Sequence, residues 1–140
     1  MKKTWSRKWV SSSQPRKQRK YRYNAPLHTR RKFLSAHLSP ELRNRLGTRS
    51  LPVRKGDEVK VMVGSFRGYK GLVDRVDIRN SKVYVDGVKI KKPDGSEILR
   101  ALQPSNLMLT NAVMDDKRRQ QALDRKEKKS VQPKKEAKKK

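Results

Sequence analysis

The sequence predicts a mainly β protein organised as a small barrel, and three observations carry the prediction. Apolar and polar residues alternate with period two in short runs between residues 59 and 90. Turn-forming residues separate the runs, notably Asn80-Ser81 and Lys92-Pro93-Asp94-Gly95. The runs are so closely spaced that little room is left for helix between them.

Two helices are expected ahead of the barrel. Thr29 is placed to cap a helix running through His37, with Arg30, Arg31 and Lys32 near its start. Cations there oppose the helix dipole, a cost that a nearby phosphate would remove. Ser39-Pro40-Glu41 supplies an N-cap residue, a proline at the first helical position and a carboxylate in the first turn. Gly47 is a natural stop, and Leu42 and Leu46 lie one turn apart.

The strands follow. Val59, Val61 and Val63 alternate with Lys60 and Met62, and Val76 and Ile78 flank Asp77. Val73 is out of phase with that pair, which predicts a bulge near Asp74. Val83 and Val85 alternate around Tyr84, and Val88 and Ile90 around Lys89. At the next turn Pro93 pre-sets φ and Gly95 tolerates the left-handed position. Ile98–Leu102 and Leu107–Leu109 are two further apolar runs, parted by Pro104-Ser105-Asn106. Beyond them, Asp115-Asp116 opens a charged helix to about Lys129, with a meagre apolar face of Met114 and Leu123. The Lys-rich end from Ser130 to Lys140 is expected to be disordered.

Charge divides the chain in the same places. Lys and Arg total 39 against 13 Asp and Glu, for a formal net charge of +26, and no acidic residue precedes Glu41. Residues 1–50 hold 15 basic and 1 acidic side chains, residues 51–111 hold 12 and 7, and residues 112–140 hold 12 and 5. The expected organisation is a basic extended arm over 1–28, short helices over 29–50, the barrel over 51–111, and a charged helix with a Lys-rich tail over 112–140. Such an arm repels itself and calls for a polyanion, of which nucleic acid is the dense form. The arm is therefore expected to order on binding. A core of about sixty residues buries only roughly 60% of its unfolded surface, so a bound partner would also stabilise it.

Other classes fit poorly. Zero Cys excludes disulfides and thiolate metal sites. His28 and His37 have no third ligand at useful spacing, so no metal or cofactor is expected. Asp57-Glu58 and Asp115-Asp116 are adjacent pairs, which in a strand point to opposite faces and cannot share a proton. No nucleophile has an evident base, and no enzyme or small-molecule substrate is expected. No apolar run approaches the ~18 residues of a membrane span. A transit peptide would fit the Arg- and Ser-rich start, but Pro15 and Pro26 interrupt it and no apolar helical face recurs.

The most specific local pattern is Val63-Gly64-Ser65-Phe66-Arg67-Gly68-Tyr69-Lys70-Gly71-Leu72-Val73. Its glycines permit a tight loop and close approach of another backbone. Phe66, Arg67, Tyr69 and Lys70 set stacking rings and phosphate-seeking cations on the loop, although the glycines are equally those of an ordinary hairpin. No G-x-G-x-x-G or P-loop pattern is present. Tyr21-Arg22-Tyr23 likewise interleaves rings with cations, suited to bases or riboses, or merely to carrying charge. Trp5 and Trp9 are four apart, as on one helical face, and equally suit a protein neighbour.

Arg54-Lys55-Gly56-Asp57-Glu58-Val59-Lys60-Val61, followed by Gly64, Gly68, Gly71 and Val73, resembles the KOW motif of ribosomal proteins and of a class of transcription elongation factors. The flanks narrow the resemblance. Asn24-Ala25-Pro26-Leu27-His28 precedes Arg30-Arg31-Lys32, and Ser39-Pro40-Glu41-Leu42-Arg43 leads into Arg49-Ser50-Leu51-Pro52-Val53. Asp94-Gly95 and Pro104-Ser105-Asn106-Leu107 follow. Together, over roughly residues 20–125, these resemble the universal KOW-bearing family of the large ribosomal subunit, number twenty-four in the bacterial count and twenty-six in the eukaryotic. The type resembled is archaeal/eukaryotic, and the lack of an inserted residue in the glycine loop leans towards the archaeal form.

The resemblance implies an SH3-like barrel and a structural role in the large subunit, in the cytoplasm. It also implies binding to the 5′ part of the large rRNA early in assembly, near the peptide exit tunnel, with neighbouring large-subunit proteins as further partners. The expected RNA-binding residues are Arg16, Lys17, Arg19, Lys20, Tyr21, Arg22, Tyr23, His28, Arg30, Arg31 and Lys32 on the arm and helices. On the barrel they are Arg54, Lys55, Gly64, Phe66, Arg67, Gly68, Tyr69, Lys70 and Gly71. An elongation factor would normally couple KOW to another domain, and general nucleic-acid compaction would leave the barrel pattern unexplained.

Overall fold

The computed structural model describes Trp5, Ser6, Trp9 and residues 12–131, with side chains as far as Asp124. Most of the Lys-rich tail therefore lies outside the described residues. The elements run α1 (Pro15–Asn24), α2 (Leu27–Phe33), β1 (Ser35–Leu38), α3 (Pro40–Leu46), β2 (Ser50–Pro52), β3 (Glu58–Val61) and β4 (Lys70–Asp77). Then come β5 (Lys82–Val85), β6 (Lys89–Lys91), β7 (Glu97–Leu99), a 3-10 turn at Pro104–Asn106, β8 (Leu107–Asn111) and α4 (Lys117–Val131). Six strands form one sheet in the order β2-β1-β8-β3-β4-β5, and β6 and β7 form a separate hairpin. All pairings are antiparallel except β1 with β8. The fold is mainly β and consistent with a small barrel.

The period-two runs work as the alternation requires. Val59, Val61, Val73, Val83, Val85, Leu107 and Leu109 are all at most 2% exposed and form the centre of the core. Burying each such side chain contributes about 1.5–3 kcal/mol. The bulge expected near Asp74 is present as a register shift between Val73 and Arg75. Beyond it, Arg75 pairs with Tyr84 and lays its guanidinium 4.4 Å from that ring. Val63 and Ile78 fall outside the strands and are exposed, because each sheet ladder ends before reaching them.

Helix α3 follows its capping signals. Ser39 Oγ accepts from the Leu42 amide at 3.3 Å, Gly47 closes the helix at φ 58°, and Leu42 is buried.

Three expectations need correction. The helix expected from Thr29 through His37 is instead α2, which starts after Pro26, followed by β1. Ala36 and Leu38 alternate with His37, and β2 and β8 satisfy the backbone on both edges of β1. The sheet thus recruits a strand from 29–50, a stretch read as helices only. Arg30, Arg31 and Lys32 consequently occupy the last turn of α2, where cations favour the dipole rather than oppose it. Part of the arm expected to be extended is helical as α1. Pro15 at the first turn and the Arg, Lys and Gln that follow are good helix starters and formers, and this propensity outweighs the repulsion between their charges.

Asp57 anchors the C-terminal helix to the barrel. Its carboxylate is fully buried and accepts from the Arg54 and Val113 amides at 2.8 and 3.0 Å. Arg119 of α4 meets both of its oxygens, at 2.8 and 2.9 Å, and donates to the Val113 and Pro52 carbonyls. Leu123, one turn on, is buried in the core cluster.

Asp116 caps α4, its Oδ1 accepting from the Arg118 amide at 2.8 Å. That amide, with the Arg54 charge, holds the Asp116 carboxyl below its usual 3.8 despite an opposing contribution from desolvation. A lowered folded-state value means that the stabilisation is present above the unfolded value and lost as pH falls through the folded one. The α4 amides are therefore expected to lose exchange protection below about pH 4, ahead of the barrel. Asp116→Ala should remove that protection at neutral pH as well, and hydrogen exchange from pH 6 to pH 3 checks both.

Candidate nucleic-acid interface

On α1, Arg16, Lys17, Arg19, Lys20 and Arg22 are all exposed, and the helix has neither an acidic nor a buried residue. Like charges at i,i+3 and i,i+4, such as Arg16 with Lys20 and Arg19 with Arg22, cost about 0.2–0.5 kcal/mol each unless an anion intervenes. The rings of the arm divide in use. Tyr21 stacks on Trp9 at 5.1 Å and lies tilted against Trp5 at 5.3 Å, so Trp5 and Trp9 share an intramolecular partner. Tyr23 is 78% exposed and open to a partner.

The basic run of α2 also divides. Arg30 is tied down within the protein, donating from Nε to the Ala25 carbonyl at 3.0 Å and through its other nitrogens to the Tyr23 and Arg79 carbonyls. It thereby joins the end of α1 to the β4–β5 turn. His28, Arg31 and Lys32 are exposed.

The glycine loop between β3 and β4 is short and internally bonded. The Gly68 amide donates to the Val61 carbonyl at 2.8 Å, and the Arg67 amide to the Gly64 carbonyl at 3.0 Å. Gly64 and Gly68 sit at φ 99° and 91°, conformations L side chains rarely adopt, and the space above both is open. Gly71 has a different role. A Cβ there would lie 2.9 Å from the Asp86 carbonyl and 3.0 Å from the Tyr69 ring, so this glycine lets β4 approach β5. Gly87, which no sequence motif marks, leaves room for the Tyr69 hydroxyl where any Cβ would collide with it.

Arg67 and Lys70 are exposed cations, and the loop's two rings differ in exposure. Phe66 is half-buried against the core with the Arg100 guanidinium 5.9 Å above it, and Tyr69 is 40% exposed across Gly71 and Gly87. Phe66→Ala with Tyr69→Ala is accordingly expected to lower the melting temperature as well as RNA affinity. Any stacked base lost should add about 1–3 kcal/mol specifically to cognate RNA. Melting temperature measured beside affinity for cognate and unrelated RNA separates the two: equal affinity losses assign the rings to packing alone.

Arg54 and Lys55 follow β2 and are exposed but paired, Arg54 with Asp116 at 2.6 Å and Lys55 with Asp74 at 3.8 Å. Tertiary structure gathers His28, Arg31, Lys32 and Arg54 with Arg118 around one groove between α2, β2 and α4. The sequence reading did not single out Arg118, Arg119 or Arg100. The spacing of Arg119 and Leu123, one turn apart on α4, was the available signal for Arg119. Among the described residues no group of three or more His, Cys, Asp or Glu is arranged to hold a metal, and no helix is long and apolar enough to cross a membrane.

A family model covering the eukaryotic L26 and archaeal L24 ribosomal proteins matches residues 12–126. The chain is 52% identical over 115 residues to the large ribosomal subunit protein uL24 of Methanosphaera stadtmanae, covering 82% of this chain and 98% of that one. It is 54% identical over 114 residues to the uL24 of Methanospirillum hungatei, covering 81% and 95%.

Proposed function

Because the chain belongs to the family of eukaryotic L26 and archaeal L24 ribosomal proteins, a structural and non-enzymatic constituent of the large ribosomal subunit, we propose that it acts by binding large-subunit rRNA. The observation that carries this reading is the exposed cationic surface of α1 and α2, which has no carboxylate of its own to neutralise it. Phosphate contacts from Arg16, Lys17, Arg19, Lys20, Arg22, Arg31 and Lys32 supply affinity without sequence preference. The glycine loop is the rigid element, with both ends in strands and open space over Gly64 and Gly68 for a nucleic-acid backbone. Arg67 and Lys70 stand beside it for phosphate. Arg30 shapes the surface from within rather than contacting RNA. Binding to the 5′ part of the large rRNA early in assembly, near the exit tunnel and beside other large-subunit proteins, completes the proposal.

The division 1–28, 29–50, 51–111 and 112–140 is offered as one of roles, with β1 joining the barrel's sheet: arm and α2 for charge, barrel for position, α4 as a buttress. In free protein at low salt, α1 is expected to exchange its amides quickly, and bound rRNA should protect them. Sharp, fully protected Tyr21–Arg31 amides without RNA would contradict the proposed ordering. The deciding experiment is sedimentation of a cell extract. The protein is expected to co-migrate with large subunits through moderate salt, and migration with polymerase or chromosome would overturn the reading.

A further inference from the structure

We propose that the groove between α2, β2 and α4 receives one unpaired RNA nucleotide, the base against its apolar members and the phosphate against its exposed cations. The inference rests on the RNA-binding reading above and assigns one place on that surface a defined ligand. The groove has a volume of about 250 Å³. Leu51, Pro52 and Ala122 are its buried and half-buried apolar members, and Arg31, Lys32 and Arg118 are its exposed cations.

Three observations point to this occupant. Among the described residues no carboxylate lines the groove, and the side chains of Arg31, Lys32 and Arg118 make no hydrogen bond or ion pair. Arg54 and Arg119 in the same groove are paired with Asp116 and Asp57, but these three cations from two helices far apart in sequence have no such partner, which favours an anion. Arg119, which also lines the groove, is 7% exposed, and its buried Nε has no acceptor among the described residues. A buried donor left unmade is a cost, and here it lies in a residue of the groove's own wall. The apolar members decide between a bare phosphate and a nucleotide. A phosphate on a duplex backbone needs no apolar surface, whereas a base splayed out of a single strand buries its faces on one. The volume lies below the ~300–1,000 Å³ of ordinary small-ligand pockets, so the groove suits one nucleotide and no more. The Arg119–Asp57 contact holds α4 in place as one wall, making Arg119 a positioning residue.

The test uses full-length protein with two probes, single-stranded decauridylate and a self-complementary RNA duplex. Decauridylate is expected to shift the Leu51 and Ala122 methyl signals in wild-type protein, and the duplex to leave them in place. Ala122→Phe, which fills the groove, should weaken decauridylate binding at least about fivefold, the loss of one modest apolar burial, with duplex affinity unchanged. Lys32→Gln with Arg118→Gln, both at exposed positions, should weaken both probes. Equal methyl shifts from the two probes, or a silent Ala122→Phe in folded protein, would overturn the nucleotide assignment while leaving RNA binding intact. Failure of wild-type protein to bind either probe would defeat the RNA-binding reading itself.

Discussion

Asp57→Ala is expected to lower the stability of the folded protein by about 3–5 kcal/mol, because it strands the Arg119 guanidinium in the interior. The carboxylate also satisfies the Arg54 and Val113 amides, and both would lose their acceptor. Net stabilities of only ~5–15 kcal/mol make this a large fraction for a domain with so thin a core. The pair is 62 residues apart in sequence, so its loss should free α4 before it opens the sheet. Replacing both partners at once, Asp57→Leu with Arg119→Leu, should recover much of the loss, since paired buried charges often contribute little beyond what apolar side chains of similar volume supply. Urea denaturation of the two single variants and the double variant measures the coupling. A single-variant loss under about 1 kcal/mol would mean that water reaches the site and screens it.

Deleting residues 1–24 is expected to change RNA binding more than any single substitution. The segment carries nine Lys and Arg and no acidic residue. If the whole protein neutralises roughly eight to ten phosphates, log affinity should fall against log salt with a slope of about −6 to −9. Removing the segment should flatten that slope by about 3–4 if half of its cations touch phosphate. The sheet should remain folded, since no residue of α1 is buried and the core begins at Leu34 apart from Ala25. Amide dispersion over residues 35–111 checks the fold, and affinities between roughly 50 and 200 mM salt give the slope. An unchanged slope would mean that these cations stay in solvent when RNA binds.

Local chemistry alone determined much of this protein. The Val59, Val61, Val83 and Val85 alternations became strands, and Lys92-Pro93-Asp94-Gly95 became the β6–β7 turn with Gly95 at φ 84°. Ser39 and Gly47 closed α3, because caps and turns are interactions between residues a few positions apart. The family was equally legible, since the KOW-like residues and their flanks are local runs of sequence. Tertiary structure alone decided what depends on distant partners. Ser35–Leu38 has too few apolar residues to announce a period, and it is a strand because β2 and β8 offer it hydrogen bonds. Arg30 and Arg31 are neighbours in sequence, yet one is bound to three carbonyls and the other is exposed, according to where the β4–β5 turn lies. Phe66 is half-buried because core packing receives it, whereas Tyr69 lies across the bare backbones of Gly71 and Gly87 and keeps an exposed face. Asp57 and Arg119 look like two more surface charges in the sequence. Only the docking of α4 removes both from water, and there a charge is tolerated only with its partner in place.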